Sequence, residues 1–331
     1  MRCAAREAAR IRNAISSNTV HTFKLVLDYR CTGDTYGDCI YLLGIARHII
    51  ANGRDVHMYI ANTDHLRVGI SQYHSADAID PFLEEIFDIV ALALSSERCT
   101  ISEINQTELS AIAQPKPNEY LVLAKFVRQG RFLIGECFNV LNCLMSESST
   151  SVQNSTLFSP EEFSNHRPSA YPTEPYITWG CRYPLVPDDF RHTTPTEFAK
   201  IYTYLKVRFP NHQIVVVSDA PGCKHYQAVA RGLEIDDLSF SKEFTNSFLE
   251  DSALIMYSSF FFWHRAGGID VIPRHSRIPF EMLGHTGHEI MWNELLLSSW
   301  QGDDQTFINI GVLGPKSDRQ EDLCYLDRSN Q

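Results

Sequence analysis

The sequence predicts an α/β protein of two Rossmann-like domains, and three observations predict it. Residues 23–61 read as strand, glycine-containing loop, helix and strand, a βαβ unit that implies a parallel sheet. A second series with the same grammar starts at Tyr176. Between the two lies a stretch, 146–175, rich in Ser and Pro and without helical or strand periodicity. The expected division is a first domain at 1–145, a linker at 146–175 with room for local disorder, and a second domain at 176–331. Two such sheets would face each other across a cleft at the carboxyl ends of their strands, where ligands bind in open α/β folds. A chain of 331 residues suits two domains, since domains usually run about 100–200 residues.

Each element has its own reason. FKLVLDY (23–29) is a short apolar strand, followed by a polar loop with Gly33 and Gly37. Cys39–Ile50 places Ile40, Leu43, Ala46 and Ile50 at helical spacing, with Asp38 where an N-cap belongs and Asn52-Gly53 as a stop. VHMYIA (56–61) is the next strand, Asp80 caps a helix opening at Pro81, and EYLVLAKFV (119–127) is a further strand. In the second half, YITWGCR (176–182) is a strand, and Thr194 caps a helix that opens with Pro195 and runs to Arg208. QIVVV (213–217) is a strand ending in Ser218-Asp219, and a helix spans 224–231. ALIMY (253–257) is read as a strand ending in Ser258-Ser259, with the following helix holding Trp263, His264 and Arg265. FINIGVL (307–313) is a last strand.

Composition narrows the function classes. A net charge of −11 argues against a protein that coats nucleic acid, which needs a basic surface. One bound nucleotide needs only a few placed cations and backbone amides. Nine scattered cysteines with no CxxC pair give no zinc ribbon or redox motif, and free thiols fit a reducing cytoplasm. Residues 1–20 carry Arg2, Arg6, Arg10 and Arg12 but no apolar core of a secretory signal. A basic amphipathic helix making weak peripheral contact with a membrane is the other use of that segment.

Three strand ends in the second half carry the polar residues that a phosphate-bearing ligand needs. Arg182 can hold a diphosphate through paired hydrogen bonds, or bridge to a nearby acid. Asp219, with Ser218, can accept from a ribose or base, or form a plain βα turn, the more usual outcome. Ser258 and Ser259 are small enough to let a helix N-terminus approach an anion, while the aromatic run after them is core. On the first-half loop, Asp34 and Asp38 flank Gly37. Asp38 reads first as an N-cap, which leaves Asp34 as the better base. His264, His275, His285 and His288 invite a metal reading, but no third ligand accompanies the His285/His288 pair and no Asp-x-Asp stands at a strand end. No essential metal and no cofactor are expected.

In order and spacing these signals resemble the donor half of the α1,2/α1,6-fucosyltransferases and their relatives, over roughly residues 176–268. That family has a strand ending in an H-x-R-R-like motif, a strand ending in Ser-Asp, and a segment like N-S-S-F-S-W-W. The counterparts are Gly180-Cys181-Arg182-Tyr183, Ser218-Asp219 and Tyr257–Trp263. The family histidine falls on Gly180 and its second arginine on Tyr183, so only the diphosphate-binding arginine has a match, at Arg182. The first half resembles the opening of the two-domain B type of glycosyltransferase in general. The resemblance implies transfer of a sugar from a nucleotide sugar, with GDP-fucose among the donors, to a glycan or other hydroxyl acceptor. It implies an inverting, metal-independent reaction and an acidic base several residues after the arginine, where Asp188 and Asp189 stand. Two alternatives remain open. One is a sugar-nucleotide epimerase or hydrolase on the same fold; the other is a non-catalytic carbohydrate-binding relative.

Overall fold

The computed structural model describes residues 2–30, 36–67, 76–94, 97–114, 116–123, 127–128, 131–132, 158–172, 175–181, 193–264, 278–284 and 305–309, with isolated residues between them. The chain divides into two compact units, Met1–Leu157 and Phe158–Gln331.

The first unit holds helix α1 (Arg2–Ser16), β1 (Thr22–Asp28), α2 (Tyr36–Ala51), β2 (Asp55–Ala61), α3 (Thr63–Arg67), α4 (Ile79–Ala93), β3 (Cys99–Ile104), α5 (Gln106–Ile112) and β4 (Glu119–Leu123). A short antiparallel pair, β5 (Val127–Arg128) and β6 (Arg131–Phe132), follows. The main sheet runs β3-β2-β1-β4 and is parallel throughout, with Thr22 opposite both Asp55 and Glu119. Leu25, Leu27 and the Ile40–Ile49 face of α2 are buried, as the apolar run and the helical spacing require. Gly53 takes φ +77° just past α2, the left-handed stop that Asn-Gly foretold.

Helix α1 buries Ala4, Ala8 and Ile11 completely within this unit. Arg12 donates to the Cys143 carbonyl at 2.7 Å. Arg54 Nε donates to the Ile15 carbonyl at 3.0 Å and Arg54 Nη2 to that of Ser17 at 2.9 Å, satisfying the open end of α1. The apolar stripe is thus unavailable to a bilayer surface, which removes the basis for the membrane contact expected of the N-terminus. No helix among the described residues is long and apolar enough to cross a membrane.

The second unit holds β7 (Tyr176–Cys181), α6 (Pro195–Arg208), β8 (Gln213–Val217), α7 (Ala220–Gly232), β9 (Leu238–Phe240), α8 (Phe248–Met256), β10 (Phe261–His264), β11 (Phe280–Gly284) and β12 (Gln305–Asn309). Its parallel sheet runs β12-β11-β10-β7-β8-β9. One face packs on α6 and α7 through Phe198, Ile201, Tyr226 and Ala230. The other packs on α8 through Leu254 and Ile255. Part of the Ser/Pro stretch belongs to this unit: Pro160–His166 form a 3₁₀ turn, and Phe158 and Phe163 are buried and in ring contact. Residues 146–157 lie outside the described residues.

Two assignments from sequence are corrected here. Residues 253–256 end a helix, α8, and 261–264, expected in a helix, form the central strand β10. Ala253–Met256 and Phe260–Trp263 are short apolar stretches, each buried, and in such stretches periodicity does not separate strand from helix. The helix instead begins at the Ser247 cap, whose Oγ accepts from Glu250 N–H at 3.1 Å. Smaller shifts occur elsewhere: α2 begins at Tyr36, α4 at Ile79 and α7 at Ala220, each ahead of the expected start.

β7 and β10 pair with Gly180 opposite Trp263. A Cβ on Gly180 would run into the Trp263 indole and come within 3.2 Å of the Phe261 ring. Gly180→Ala should therefore cost about 1–3 kcal/mol through overpacking, read as a lower urea midpoint. An unchanged midpoint would show that the indole has room to move.

Candidate functional site

In both units every strand of the main sheet is parallel, so all the carboxyl ends lie on one edge of that sheet. Each sheet starts on one side of its first strand and later crosses to the other. The switch lies between β1 and β4 in the first unit and between β7 and β10 in the second. Open α/β sheets bind ligands at that place.

Of the residues singled out from sequence, Arg182, Asp188, Asp189, Gly33 and Asp34 lie outside the described residues. The first three belong by sequence to the connection from β7 to α6, the last two to that from β1 to α2. Gly37 and Asp38 are the second and third residues of α2. Asp38 is therefore not the N-cap. An acid is favoured both at the cap and in the first turn, so residue type alone does not separate the two places. Ser218 and Asp219 do follow β8 at the carboxyl edge. Ser258 and Ser259 do not: they precede β10, at the opposite edge, because the strand and helix were exchanged. Ser258 Oγ is buried and bonded to Thr178 Oγ1 at 3.0 Å and the Ile255 carbonyl at 2.8 Å. Ser259 N–H donates to the Tyr176 carbonyl at 2.9 Å. Both join α8 to the sheet and lie away from the ligand edge.

The carboxyl edge of the first sheet is polar and fixed. Asp28, at the end of β1, is buried and accepts from Asn62 Nδ2 at 2.7 Å and from Arg30 through N and Nη2, both at 3.1 Å. Asn62 follows β2 at φ +60°, a left-handed conformation for which Asn is one of the better non-glycine residues. Beside it, Thr63 donates to Glu103, and Arg67 reaches Asp80 at 2.9 Å and Glu103 at 3.4 Å. Thr63, Asp64, Glu103, Asn105 and Glu108 line an open hollow of about 250 Å³. Sequence reasoning passed over Asp28 and Asn62. Their one signal was a polar residue directly after an apolar strand.

In the second sheet the three helices that follow β7, β8 and β9 begin at the carboxyl edge, and each already carries a carboxylate at its start. Glu197 is buried in the first turn of α6 and accepts from Thr194 N and Oγ1, both at 2.7 Å. Asp219 caps α7, with Oδ1 accepting from Gly222 N–H at 2.8 Å. Asp251, in the first turn of α8, accepts from Lys242 Nζ and Thr245 Oγ1, both at 2.5 Å. Glu197 and Asp219 set a negative charge against the starts of α6 and α7, which would otherwise attract a phosphate, whereas Asp251 is paired with Lys242. Between α7 and the end of β7, the ring of Tyr183 lies 4.9 Å from that of His225. No group of three or more potential metal ligands occurs among the described residues. Of the histidines considered, His264 ends β10, and His275, His285 and His288 lie outside the described residues.

Two doubly wound parallel sheets, each with a polar carboxyl edge at its switch point, define a two-unit α/β fold of the nucleotide-binding kind. Among solved structures this fold is shared with the E. coli ADP-heptose LPS heptosyltransferase II, at a TM-score of 0.50 and 9% identity, over 94% of this chain and 98% of that one. Two further matches are a family 9 glycosyl transferase from Veillonella parvula (TM-score 0.48, 11% identity, 92% and 90% covered) and the E. coli heptosyltransferase WaaC with ADP-2-deoxy-2-fluoro heptose (TM-score 0.45, 8% identity, 87% and 92% covered). The chain thus has the α/β fold of the B type of glycosyltransferase. No protein-family model and no curated protein matches it.

Burial pushes the Asp28 carboxyl up, but the hydrogen bonds from Arg30 and Asn62 outweigh it and hold the group below the ordinary carboxylate range. A depressed folded value means the stabilisation is complete above the unfolded value and is lost as pH falls through the folded one. Asp28→Asn should cost about 1–3 kcal/mol at pH 7, and the gap to wild type should narrow below about pH 4. Urea unfolding at several pH values reads both. A gap that stays constant into acid would remove Asp28 as the titrating group.

Proposed function

We propose that the chain is a glycosyltransferase using a nucleotide-sugar donor. In this reading the second unit takes the donor and the first takes a glycan or other hydroxyl-bearing acceptor. One observation carries it: the second sheet crosses over between β7 and β10, and the connection leaving β7 contains Arg182. The starts of α6 and α7 carry their own carboxylates, so a bound diphosphate needs side-chain cations. A guanidinium offers a planar, bidentate set of donors for that role. Asp219, already a cap, has less to offer a ribose than its sequence position implies.

Transfer needs two further things. The leaving diphosphate gains charge, which Arg182 would stabilise. The acceptor hydroxyl must lose a proton to a base, worth about 10²–10⁴-fold. The base candidates are Asp189 and Asp188 after the arginine, and Asp34 and Asp38 beside β1. An inverting, metal-independent reaction fits this set. The cysteines are scattered singly with no CxxC pair, which fits a reducing, cytoplasmic setting. GDP-fucose is the donor that the motif resemblance favours.

A second reading is a carbohydrate-binding relative without turnover, and Gly180 favours it. The resembling family has a histidine there, and here the Trp263 indole fills the space any side chain would use.

Two experiments test the proposal. In a thermal-shift screen of nucleotides and nucleotide sugars, the donor at 100 times its Kd should stabilise the protein by about 2.7 kcal/mol. Arg182→Ala should then weaken diphosphate binding by about 2–5 kcal/mol and spare the nucleoside. Equal diphosphate affinity in the two proteins would remove Arg182 from the site. For the base, asparagine variants at 34, 38, 188 and 189 should separate turnover from donor binding. If none slows turnover by about tenfold or more, either the base lies elsewhere or the non-catalytic reading holds.

A further inference from the structure

At the carboxyl edge of the second sheet one hydroxyl is buried yet unused by the protein. Ser218, the first residue after β8, is 7% exposed. Its main chain is pinned: the carbonyl accepts from Ser241 Oγ at 3.3 Å and from Cys223 Sγ at 3.5 Å. Its own Oγ hydrogen-bonds to no group among the described residues. The oxygen is not sealed in the core, as the partnerless Nε1 of Trp179 is, so it opens at the edge of the sheet. It lies over the first turn of α7. A Cβ on Gly222, the third residue of that helix, would stand 2.1 Å from it. The glycine thus leaves the space above the turn to the hydroxyl.

Buried hydroxyls nearly always have a partner within the fold, so one without a partner asks for a group from outside. That group is not a phosphate. In the first turn of α7, Pro221 has no N–H. Gly222 N–H donates to Asp219 Oδ1 and Cys223 N–H to the Asp219 carbonyl, both at 2.8 Å. An anion would meet few amides there and one carboxylate. A neutral hydroxyl suits the place, because it can either donate to Ser218 Oγ or accept from it. Topology points to which hydroxyl. Counted from β7, the strands stand in the order 6-5-4-1-2-3. In the doubly wound fold of that order, the residue that bonds the ribose of a nucleotide follows the second strand. The second strand here is β8, and Ser218 follows it directly.

Resting on the donor reading above, we infer that Ser218 Oγ binds a ribose hydroxyl of the donor nucleotide, with Gly222 leaving the room for it. Asp219 stays the cap of α7. The contact makes the protein read ribonucleotides against deoxyribonucleotides. It also separates this role from a structural one. A hydroxyl kept for a ligand adds nothing to the stability of the free protein, whereas one bonded within the fold does.

The test uses the full-length protein, the tightest binder among ADP, GDP and UDP, and the 2′-deoxy and 3′-deoxy forms of that diphosphate. In calorimetry the wild type should bind the ribose form about three- to tenfold more tightly than at least one deoxy form. Ser218→Ala should weaken the ribose form by the same factor, bind that deoxy form as the wild type does, and keep the wild-type urea midpoint. Equal wild-type affinity for the ribose, 2′-deoxy and 3′-deoxy forms overturns the inference, and needs no variant. A Ser218→Ala protein that still prefers the ribose form to the same degree overturns it too. So does one that unfolds earlier in urea yet binds the ribose form like the wild type, since the hydroxyl then has a structural task. Wild-type protein that binds none of ADP, GDP and UDP overturns the donor reading, and this inference with it.

Discussion

The second unit depends on one fit: the Trp263 indole seated over Gly180, where β10 pairs with β7. These are the inner strands of a six-stranded sheet, and β10 is buried along its whole length. The missing side chain at 180 leaves the space that the Trp263 indole takes up, with Phe261 on the same face. Phe260 and Phe262 face the other way, toward α6 and α7. The alternation of Phe260–Trp263 thus joins both helix layers to one strand.

The chain announced its first βαβ unit clearly. FKLVLD and VHMYIA are short apolar runs, and the helix between them is closed by Asn-Gly. Local chemistry was enough there for the order of the elements and for the end of the helix, though the helix starts three residues ahead of Cys39. Thr194-Pro195 with Glu197 gave the start of α6 for the same reason: a capping box is a local object. The segment 253–264 was not legible in this way. Its apolar stretches are each buried, so nothing in the pattern marks where helix ends and strand begins. The only local cues are Ser247, far upstream, and the pair Ser258-Ser259, which suits a turn in either order.

The site was legible in part. The edge at Ser218-Asp219 followed from a strand and its turn. Asp28 with Asn62 could not be paired from sequence. The two lie far apart in the chain, and only the parallel register brings them together. Asp38 shows the finer limit. Cap and first-turn positions attract the same residue types, and a three-residue shift of the helix start changes what a carboxylate there is for.

The helix ends of the second unit bear on how long a reaction product would stay. A helix N-terminus meets an anion with main-chain amides whose direction the fold fixes. In this protein Glu197 and Asp219 occupy the starts of α6 and α7 already. A diphosphate held by a guanidinium instead is held by a charge that dissolved ions can screen, over about 8 Å at physiological ionic strength. On the proposed donor reading, residence of the spent nucleotide, and with it product inhibition, would be set by the salt around the protein as much as by its shape.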